Sequence, residues 1–279
     1  MAHEIRVIDD QSVAHLISIA ERDPIRQCFL GARLELTKLG MIRQTYPDLL
    51  GYFDDGHLKS ALFMGANLIP INTTSIARSE FVGTLKRQGR RSSSITGPAA
   101  EVLPLWELLE PHWEPAREVR PNQPLMAMNS RSEIQPDELV RYATTADLDL
   151  LFPACVSMFT EEVGVSPIGP STGNAYRNRI AELISDKRSF VRMNNEEIIF
   201  KAEVGTIGNN VAQIQGVWIN PKYRGQGLAA PAMSAVVRFI LDDLAGTASL
   251  YANDFNKPAI ATYLRVGFEQ VDTFATIHF

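Results

Sequence analysis

A glycine-rich turn between a strand and a helix is the most specific chemical feature of the sequence. An apolar run ends at Ile219 and is followed by Arg224-Gly-Gln-Gly227-Leu-Ala229, from which a long apolar helix is predicted over Ala229 to Leu244. Glycine lets the backbone approach a bulky anion, and the N–H groups that open a helix point at that anion with the positive end of the helix dipole behind them. This order of elements is typical of a phosphate-binding turn, although an ordinary strand-to-helix connection has the same outline.

A second group of residues shares one face of a later helix. Asn256, Ala259 and Tyr263 follow a predicted strand at Ala248 to Ala252, and their i, i+3, i+7 spacing places them on one side of a helix. Gly267 is predicted to end that helix as a C-terminal cap. The turn and this helix face are therefore two motifs in sequence order, separated by one predicted helix and one predicted strand.

Together the two motifs resemble the GNAT superfamily of acyl-CoA-dependent N-acyltransferases. The signature Gln/Arg-x-x-Gly-x-Gly/Ala is met by Arg224-Gly-Gln-Gly227-Leu-Ala229, and the later pattern Asn-x-x-Ala-x-x-x-Tyr-x-x-x-Gly-Phe is met residue for residue from Asn256 to Phe268. The resemblance covers residues 137–279. It implies an acyltransferase that moves an acetyl group from acetyl-CoA, its co-substrate, to a primary amine by direct attack of the amine on the thioester.

The resemblance also implies which residues contact the cofactor. The strand before the turn would bulge at Gly216, and the backbone after the bulge would pair with the pantetheine arm. The pyrophosphate would lie on the N–H groups of the turn, with the Arg224 side chain adding positive charge. The implied cofactor-binding residues are Val217, Trp218, Ile219, Arg224, Gly225, Gln226, Gly227, Leu228, Ala229, Asn253, Asn256, Ala259 and Tyr263.

Tyr263 is also the predicted general acid. Its phenol, with an ordinary pKa of about 10, can give a proton to a departing thiolate and recover it from solvent. The alternative is a core tyrosine whose hydroxyl only forms a hydrogen bond to the CoA sulfur.

Three carboxylates are candidates for the general base. Glu203 lies on a predicted strand beside the one that leads into the turn, and Glu161 and Glu162 close a predicted helix. Each of them also fits a solvated surface position. The strand before the turn carries Gln213 and Gln215 where some members of the family have a glutamate, so a water chain or an amine that arrives neutral stays open.

Two similar sets of elements are predicted to hold these residues. Hairpin turns at Asp55 and Asn195 precede Gly65 and Gly205 by the same interval, and each half of the chain reads helix, helix, hairpin, strand, helix, strand, helix. The predicted class is α/β (α+β), and the resemblance implies tandem GNAT folds, each a mixed, mostly antiparallel sheet flanked by helices. A polar stretch near residues 130–137 separates a first domain at 1–130 from a catalytic domain at 137–279.

The first domain resembles the degenerate GNAT-like unit of two-unit actinobacterial members. The resemblance rests on Asp23-Pro24 with Cys28-Phe29 downstream, and on Arg120-Pro-Asn-Gln-Pro-Leu125. In the place of the glycine-rich turn this half has only Thr73-Thr-Ser-Ile-Ala-Arg78. The first domain is therefore not expected to bind CoA in the manner of the family.

Composition and charge exclude several classes of function. Residues 1–136 carry 16 acidic and 15 basic side chains and residues 137–279 carry 16 and 12, so neither half has the basic excess of a nucleic-acid binder. The most apolar run, residues 60–71, is too short and interrupted to span a bilayer, and the N-terminus lacks the apolar centre of a signal peptide. We expect a cytoplasmic protein without nucleic-acid or membrane partners. The five histidines and two cysteines show no ligand spacing, so no metal is expected.

The acceptor is less well defined by the sequence. An amine-bearing small molecule or peptide is expected, and the acidic second half mildly favours a cationic one. Two other functions stay open: acetylation of a thiol-precursor amine in the manner of mycothiol synthase, and acyl-CoA binding by a sensor or scaffold without turnover. Tyr263 in register with the turn argues against the sensor. The oligomeric state is open.

Overall fold

The computed structural model describes residues 3–36, 45–169 and 172–279. The chain forms two compact units. The first consists of Met1–Leu125, Tyr251–Asn256 and Gln270–Phe279, and the second of Met126–Leu250 and Lys257–Glu269. Among the described residues, no helix is both long enough and apolar enough to cross a membrane.

One order of elements occurs twice along the chain. The first copy is β1 (His3–Asp9), α1 (Asp10–Arg22), α2 (Cys28–Leu36), β2 (Thr45–Asp54), β3 (His57–Met64), β4 (Asn67–Ile71), α3 (Ser75–Gln88), β5 (Ser94–Pro98), α4 (Ala99–Leu109) and β6 (Glu118–Met128). The second copy is β7 (Arg141–Tyr142), α5 (Leu148–Val163), α6 (Gly173–Ser185), β8 (Ser189–Asn194), β9 (Glu197–Gly208), β10 (Val211–Ile219), α7 (Ala229–Phe239), β11 (Thr247–Tyr251), α8 (Lys257–Val266) and β12 (Glu269–His278). The predicted order of helices and strands is confirmed in both halves. The sequence limits 1–130 and 137–279 stay a proposal for where the two copies divide.

Each unit has its own run of strands. The order is β1-β2-β3-β4-β5-β12 in the first unit and β11-β10-β9-β8-β7 in the second. The pairs β4–β5 and β10–β11 are parallel, and the other neighbours are antiparallel. The predicted class, with mixed and mostly antiparallel sheets flanked by helices, is confirmed.

Local chemistry explains both hairpins and the start of one helix. Asp55 and Asn195 have φ of +46° and +53°, a region that aspartate, asparagine and glycine tolerate better than other residues. The Thr74 hydroxyl accepts the N–H of Ala77 at 3.1 Å and caps α3. Because of this cap, α3 begins at Ser75 instead of the predicted Ser79.

Other boundaries also differ from the predictions. The predicted helix Pro24 to Leu39 begins only at Cys28, and its predicted end lies outside the described residues. α7 ends at Phe239 and continues as one π-helical turn, Ile240–Leu244. β12 was not predicted from the sequence. It is buried at every residue from Phe274 to Ile277, and a strand that is covered on both faces lacks the alternating pattern that identifies a half-exposed strand.

The core of the second unit holds the end of β10 in place. α5 and α6 pack a cluster that includes Leu151, Met158, Ile180 and Trp218. α7 packs against β9 and α8 and buries most of its residues. The glycine-rich turn therefore connects two well-packed elements, β10 and α7.

Candidate active site

β10 and β11 separate where the sequence predicts donor binding. The two strands pair only from Val211–Thr247 to Gln213–Ser249, whereas β10 stays paired with β9 as far as Ile219. Within the described residues of the second unit, the other edge of β10 has no strand partner from Ile214 to Ile219. An extended ligand can bind to such an edge through main-chain hydrogen bonds.

The predicted bulge is present at Gly216. Gln215 lies opposite Glu203 and Trp218 lies opposite Lys201, so β10 has one residue more than β9 at this point. Gly216 has φ +60°, and an added Cβ would lie 2.9 Å from the Lys201 Nζ and 3.2 Å from the Glu203 Cδ. Only glycine fits this position without displacing its neighbours.

The turn after β10 has the geometry of an anion site. Gly225 and Gly227 both have φ +75°, and a Cβ added to either would meet nothing within 4 Å. Leu228 precedes α7 without a side-chain cap. Because the first N–H groups of a helix have no intrahelical partner, those of Ala229 and Ala230 are available to a ligand, while Pro231 has none to offer.

Glu197 at the start of β9 anchors the turn. Its carboxylate accepts hydrogen bonds from the Lys222 Nζ at 2.8 Å, the Tyr223 hydroxyl at 2.8 Å and the Asn220 amide at 3.1 Å. The hydrogen bond from Lys222, followed by that from Tyr223, lowers the pKa of Glu197. These bonds fix the three residues that lead into the glycines of the turn.

The Arg224 guanidinium is bound by residues of the chain itself. Its Nε donates to the Ile219 carbonyl at 2.9 Å, and one terminal nitrogen donates to the Glu161 Oε2 at 2.6 Å. The other oxygen of Glu161 accepts the Trp218 indole N–H at 3.1 Å. Glu161, a candidate base in the sequence, therefore links α5 to the glycine-rich turn.

Tyr263 is held in place by the end of α8. The N–H groups of Gly267 and Phe268 both donate to its carbonyl, at 3.2 and 3.0 Å, and Gly267 has φ +116°, as the predicted cap requires. The phenol ring packs edge-on against the Phe268 ring. This packing gives a local reason for the Tyr-x-x-x-Gly-Phe pattern.

The side chain of Tyr263 is buried and is 7% exposed. Burial, with the Glu162 carboxylate as a smaller cause, raises the pKa of Tyr263 above its ordinary value. The hydroxyl therefore keeps its proton at neutral pH.

Glu203 is part of a buried network. Its Oε2 lies 2.9 Å from the Nζ of Lys201, which is fully buried, and its Oε1 accepts the Gln215 amide at 2.9 Å. Burial alone would lower the pKa of Lys201, but the pKa is raised by several neighbouring groups together, of which the Glu203 carboxylate is the strongest. Both oxygens of Glu203 are engaged. To act as the predicted general base, Glu203 would have to accept a proton while it binds Lys201 and Gln215.

Lys201 is a site residue to which the sequence analysis gave no role. A lysine in the middle of the apolar run Ile198 to Val204 is unusual, and residues i and i+2 of a strand lie on the same face. Those two facts together indicate an ion pair with Glu203. Lys201 borders the bulge directly, because its Nζ is the atom nearest to the space above Gly216.

Glu162 is a carboxylate whose charge acts on the pKa of Tyr263. It raises the pKa of Tyr263 and, with Glu203, contributes to the raised pKa of Tyr176, for which burial is the main cause. Tyr176 on α6 donates its hydroxyl to the Cys155 carbonyl at 3.1 Å. Glu162 thus acts on Tyr263, and Glu162 and Glu203 both act on Tyr176.

The side chain of Asn253 forms hydrogen bonds with residues of the first unit. Its carboxamide oxygen accepts the Gln123 amide at 2.9 Å and an Arg120 N–H at 3.3 Å, and the side chain is buried within the first unit. Asn256 directly precedes α8, and Ala259 lies one turn before Tyr263 on that helix. Asn253 is therefore occupied by hydrogen bonds of the first unit.

The first unit has a different structure at the equivalent position. β4 and β5 also pair only briefly, at Asn67–Ser94 and Leu68–Ile95, but no glycine-rich turn follows β4. The Glu101 carboxylate from α4 instead accepts the Thr73 N–H at 2.8 Å, and burial raises the pKa of this carboxyl. Backbone N–H groups at the start of α3 are therefore bound by the side chains of Glu101 and Thr74. This is consistent with a degenerate first unit.

The Lys201–Glu203 pair is expected to be important for stability. Lys201→Met leaves the Glu203 charge buried without its partner, so we expect the free energy of unfolding to fall by about 3 to 5 kcal/mol. Urea-induced unfolding at pH 7 measures this change. The double variant Lys201→Met/Glu203→Gln removes both charges and is expected to recover most of the loss. Equal losses in the single and double variants would contradict the pairing argument.

Two family profiles match the chain. That of the acetyltransferase (GNAT) family matches residues 158–268, which contain the bulge, the turn and Tyr263. That of a domain of unknown function (DUF4081) matches residues 47–151. A search of curated proteins finds no match.

Several solved structures have the same fold over nearly the whole length. A Drosophila protein has a TM-score of 0.65 at 12% identity and covers 100% of this chain and 99% of its own. A GCN5-related N-acetyltransferase from Sphaerobacter thermophilus has a TM-score of 0.62 at 15% identity, covering 99% and 95%. A tandem GNAT protein from the clavulanic acid biosynthesis pathway has a TM-score of 0.53 at 12% identity, covering 99% and 98%.

The fold and the profile define the class of protein. At these identities the structural likeness establishes the fold, and the profile identifies the second half. Residues 158–268 match the profile of the acetyltransferase (GNAT) family, a family that uses acetyl-CoA as co-substrate, and the chain has the fold of a tandem GNAT protein.

Proposed function

We propose that the protein transfers an acetyl group from acetyl-CoA to a primary amine, and that its second unit alone carries out the chemistry. The observation that carries the proposal is the unpaired edge of β10, which runs from the bulge at Gly216 into the open turn at Gly225 and Gly227. This combination offers main-chain partners to an extended arm and N–H groups to an anion within one unit.

The residues present fit acetyl-CoA. The backbone of Val217, Trp218 and Ile219 would bind the pantetheine arm, and the turn with the N–H groups of Ala229 and Ala230 would bind the pyrophosphate. When bound, acetyl-CoA supplies an acyl carbon that is activated as a thioester. The bulge places the Lys201–Glu203 pair beside the backbone that receives the arm.

Two groups would manage the protons. Tyr263 holds a proton on its hydroxyl and can deliver it to a leaving thiolate, because its buried hydroxyl stays neutral. The attacking amine must lose a proton to become nucleophilic. Glu162 is the proposed acceptor, directly or through water, because its charge acts on the pKa of Tyr263, the proposed proton donor.

The acceptor is proposed to be a cationic amine, carried by a small molecule or a peptide. Residues 137–279 have 16 acidic and 12 basic side chains, and α5 ends with Glu161 and Glu162 beside β10. A negative site attracts a cationic substrate and raises its local concentration.

An acetyl-transfer assay tests the proposal. Purified protein is incubated with acetyl-CoA and a panel of amines that includes polyamines, lysine peptides and neutral amines. We expect mass spectrometry to show acetylated products and calorimetry to show one CoA per chain, because only the second unit has the turn. Tight CoA binding with no transfer to any amine, and no effect of Tyr263→Phe, would instead indicate an acyl-CoA sensor.

A further inference from the structure

We propose that Glu161 is an internal anion that holds Arg224 before the donor binds, and that the pyrophosphate of the donor must displace it. The inference rests on the proposed donor site and adds a residue that sets the affinity of that site. It follows from the contacts of Glu161, Arg224 and Trp218.

Arg224 has one contact that fixes the side chain and one that the donor can replace. The Nε bond to the Ile219 carbonyl keeps the guanidinium at the start of the turn. The terminal nitrogen is bound to the Glu161 Oε2 at 2.6 Å. A guanidinium binds carboxylate and phosphate through the same planar set of N–H groups, so Glu161 and a pyrophosphate compete for that terminal nitrogen.

Glu161 can release Arg224 without leaving its place. Its Oε1 is bound by the indole N–H of Trp218, a side chain that is only 9% exposed and packed in the core formed by α5 and α6. The carboxylate thus stays beside β10 when Oε2 loses its partner. This carboxylate belongs to the residue that precedes Glu162, the proposed base, in the sequence.

Exposure makes the exchange feasible. The side chains of Arg224 and Glu161 are 48% and 45% exposed, in contrast to the fully buried Lys201. An exposed ion pair contributes little net stability and can be broken readily. Glu161 therefore reduces the affinity for the donor without preventing binding.

The first test is the affinity for CoA in Glu161→Gln, measured by calorimetry. The amide keeps an acceptor for Trp218 but loses the charge that holds Arg224, so we expect a Kd for CoA about two- to fivefold lower than in the wild type. Binding of pantetheine, which has no pyrophosphate, is expected to stay unchanged. The matched control is Glu138→Gln, which removes the same charge from another carboxylate–arginine pair of the second unit, the pair with Arg238, and which is expected to leave the Kd unchanged.

A double-mutant cycle makes the test specific to the pair. Arg224→Gln is expected to weaken CoA binding, and adding Glu161→Gln to it is expected to bring no further change, because the partner is gone. The proposal is overturned if Glu161→Gln leaves the Kd unchanged, if Glu138→Gln tightens binding equally, or if the gain persists without Arg224.

These outcomes are separate from those of the proposed function. If the wild type binds no CoA at all, the donor site itself is wrong and both proposals fall. If it binds CoA and acetylates no amine, the transferase proposal falls and the competition at Arg224 is still decided by the calorimetry.

Discussion

Gly227→Asp is expected to lower the affinity for CoA by about 100- to 1,000-fold while the fold is kept. The position has φ +75° and open space around it, so a side chain fits but projects into the proposed pyrophosphate site. A carboxylate about 4 Å from a phosphate charge at an effective dielectric constant of 20 costs about 4 kcal/mol. Calorimetry with CoA measures the loss, and thermal unfolding confirms that the protein is folded.

Gly227→Asn is the matched control for this variant. Aspartate and asparagine have the same shape, and both tolerate a positive φ better than most residues, so the two variants differ mainly in charge. We expect the asparagine variant to keep most of its affinity for CoA. Equal losses in both would show that space or backbone conformation decides, and unchanged binding in Gly227→Asp would refute the assignment of the turn.

Tyr263→Phe is expected to reduce kcat by about 100- to 1,000-fold, within the range for loss of a general acid, and to leave the Kd for CoA within about threefold of the wild-type value. Phenylalanine keeps the edge-on packing against Phe268 and removes only the hydroxyl. Because the pKa of Tyr263 is raised, the group keeps its proton as the pH rises from 7 to 10. The wild-type rate is therefore expected to show no decline from its deprotonation in that range.

Tyr142→Phe is the control for loss of a hydroxyl from another, partly buried tyrosine. Tyr142 lies in the second unit, its pKa is also raised, chiefly by burial, and its hydroxyl donates to Asp243 at 2.8 Å. Removing this hydroxyl is expected to cost about 1 kcal/mol of stability and to leave kcat unchanged. If the two variants reduce kcat equally, the effect of Tyr263→Phe is structural.

Most helices and strands of the fold could be predicted from the sequence, because the patterns that indicate them are local. The turn residues Asp55 and Asn195 identify the two hairpins, and helical periodicity identifies α5, α6 and α8. β12 was not predicted because it is buried on both faces and therefore lacks the alternation of apolar and polar residues that identifies a half-exposed strand. The early start of α3 was missed because the capping role of Thr74 was not recognised.

Only part of the candidate site could be predicted from the sequence. Gly225, Gly227 and Tyr263 stand in short motifs whose spacing is itself the signal. The identity of the general base could not be predicted, because the sequence does not indicate which residues a carboxylate contacts. The structure shows that Glu203 is engaged by Lys201 and Gln215, and the role of Glu162 as base stays a proposal.

The order of elements in both copies of the fold, the bulge glycine, the glycine-rich turn and the helix that carries Tyr263 could all be predicted from the sequence. These features depend on backbone conformation and periodicity within a few neighbouring residues. The tertiary structure alone decided which charges meet. Glu161 and Arg224 are 63 positions apart, and their contact exists only because the end of α5 packs beside β10, so no local pattern could have indicated it.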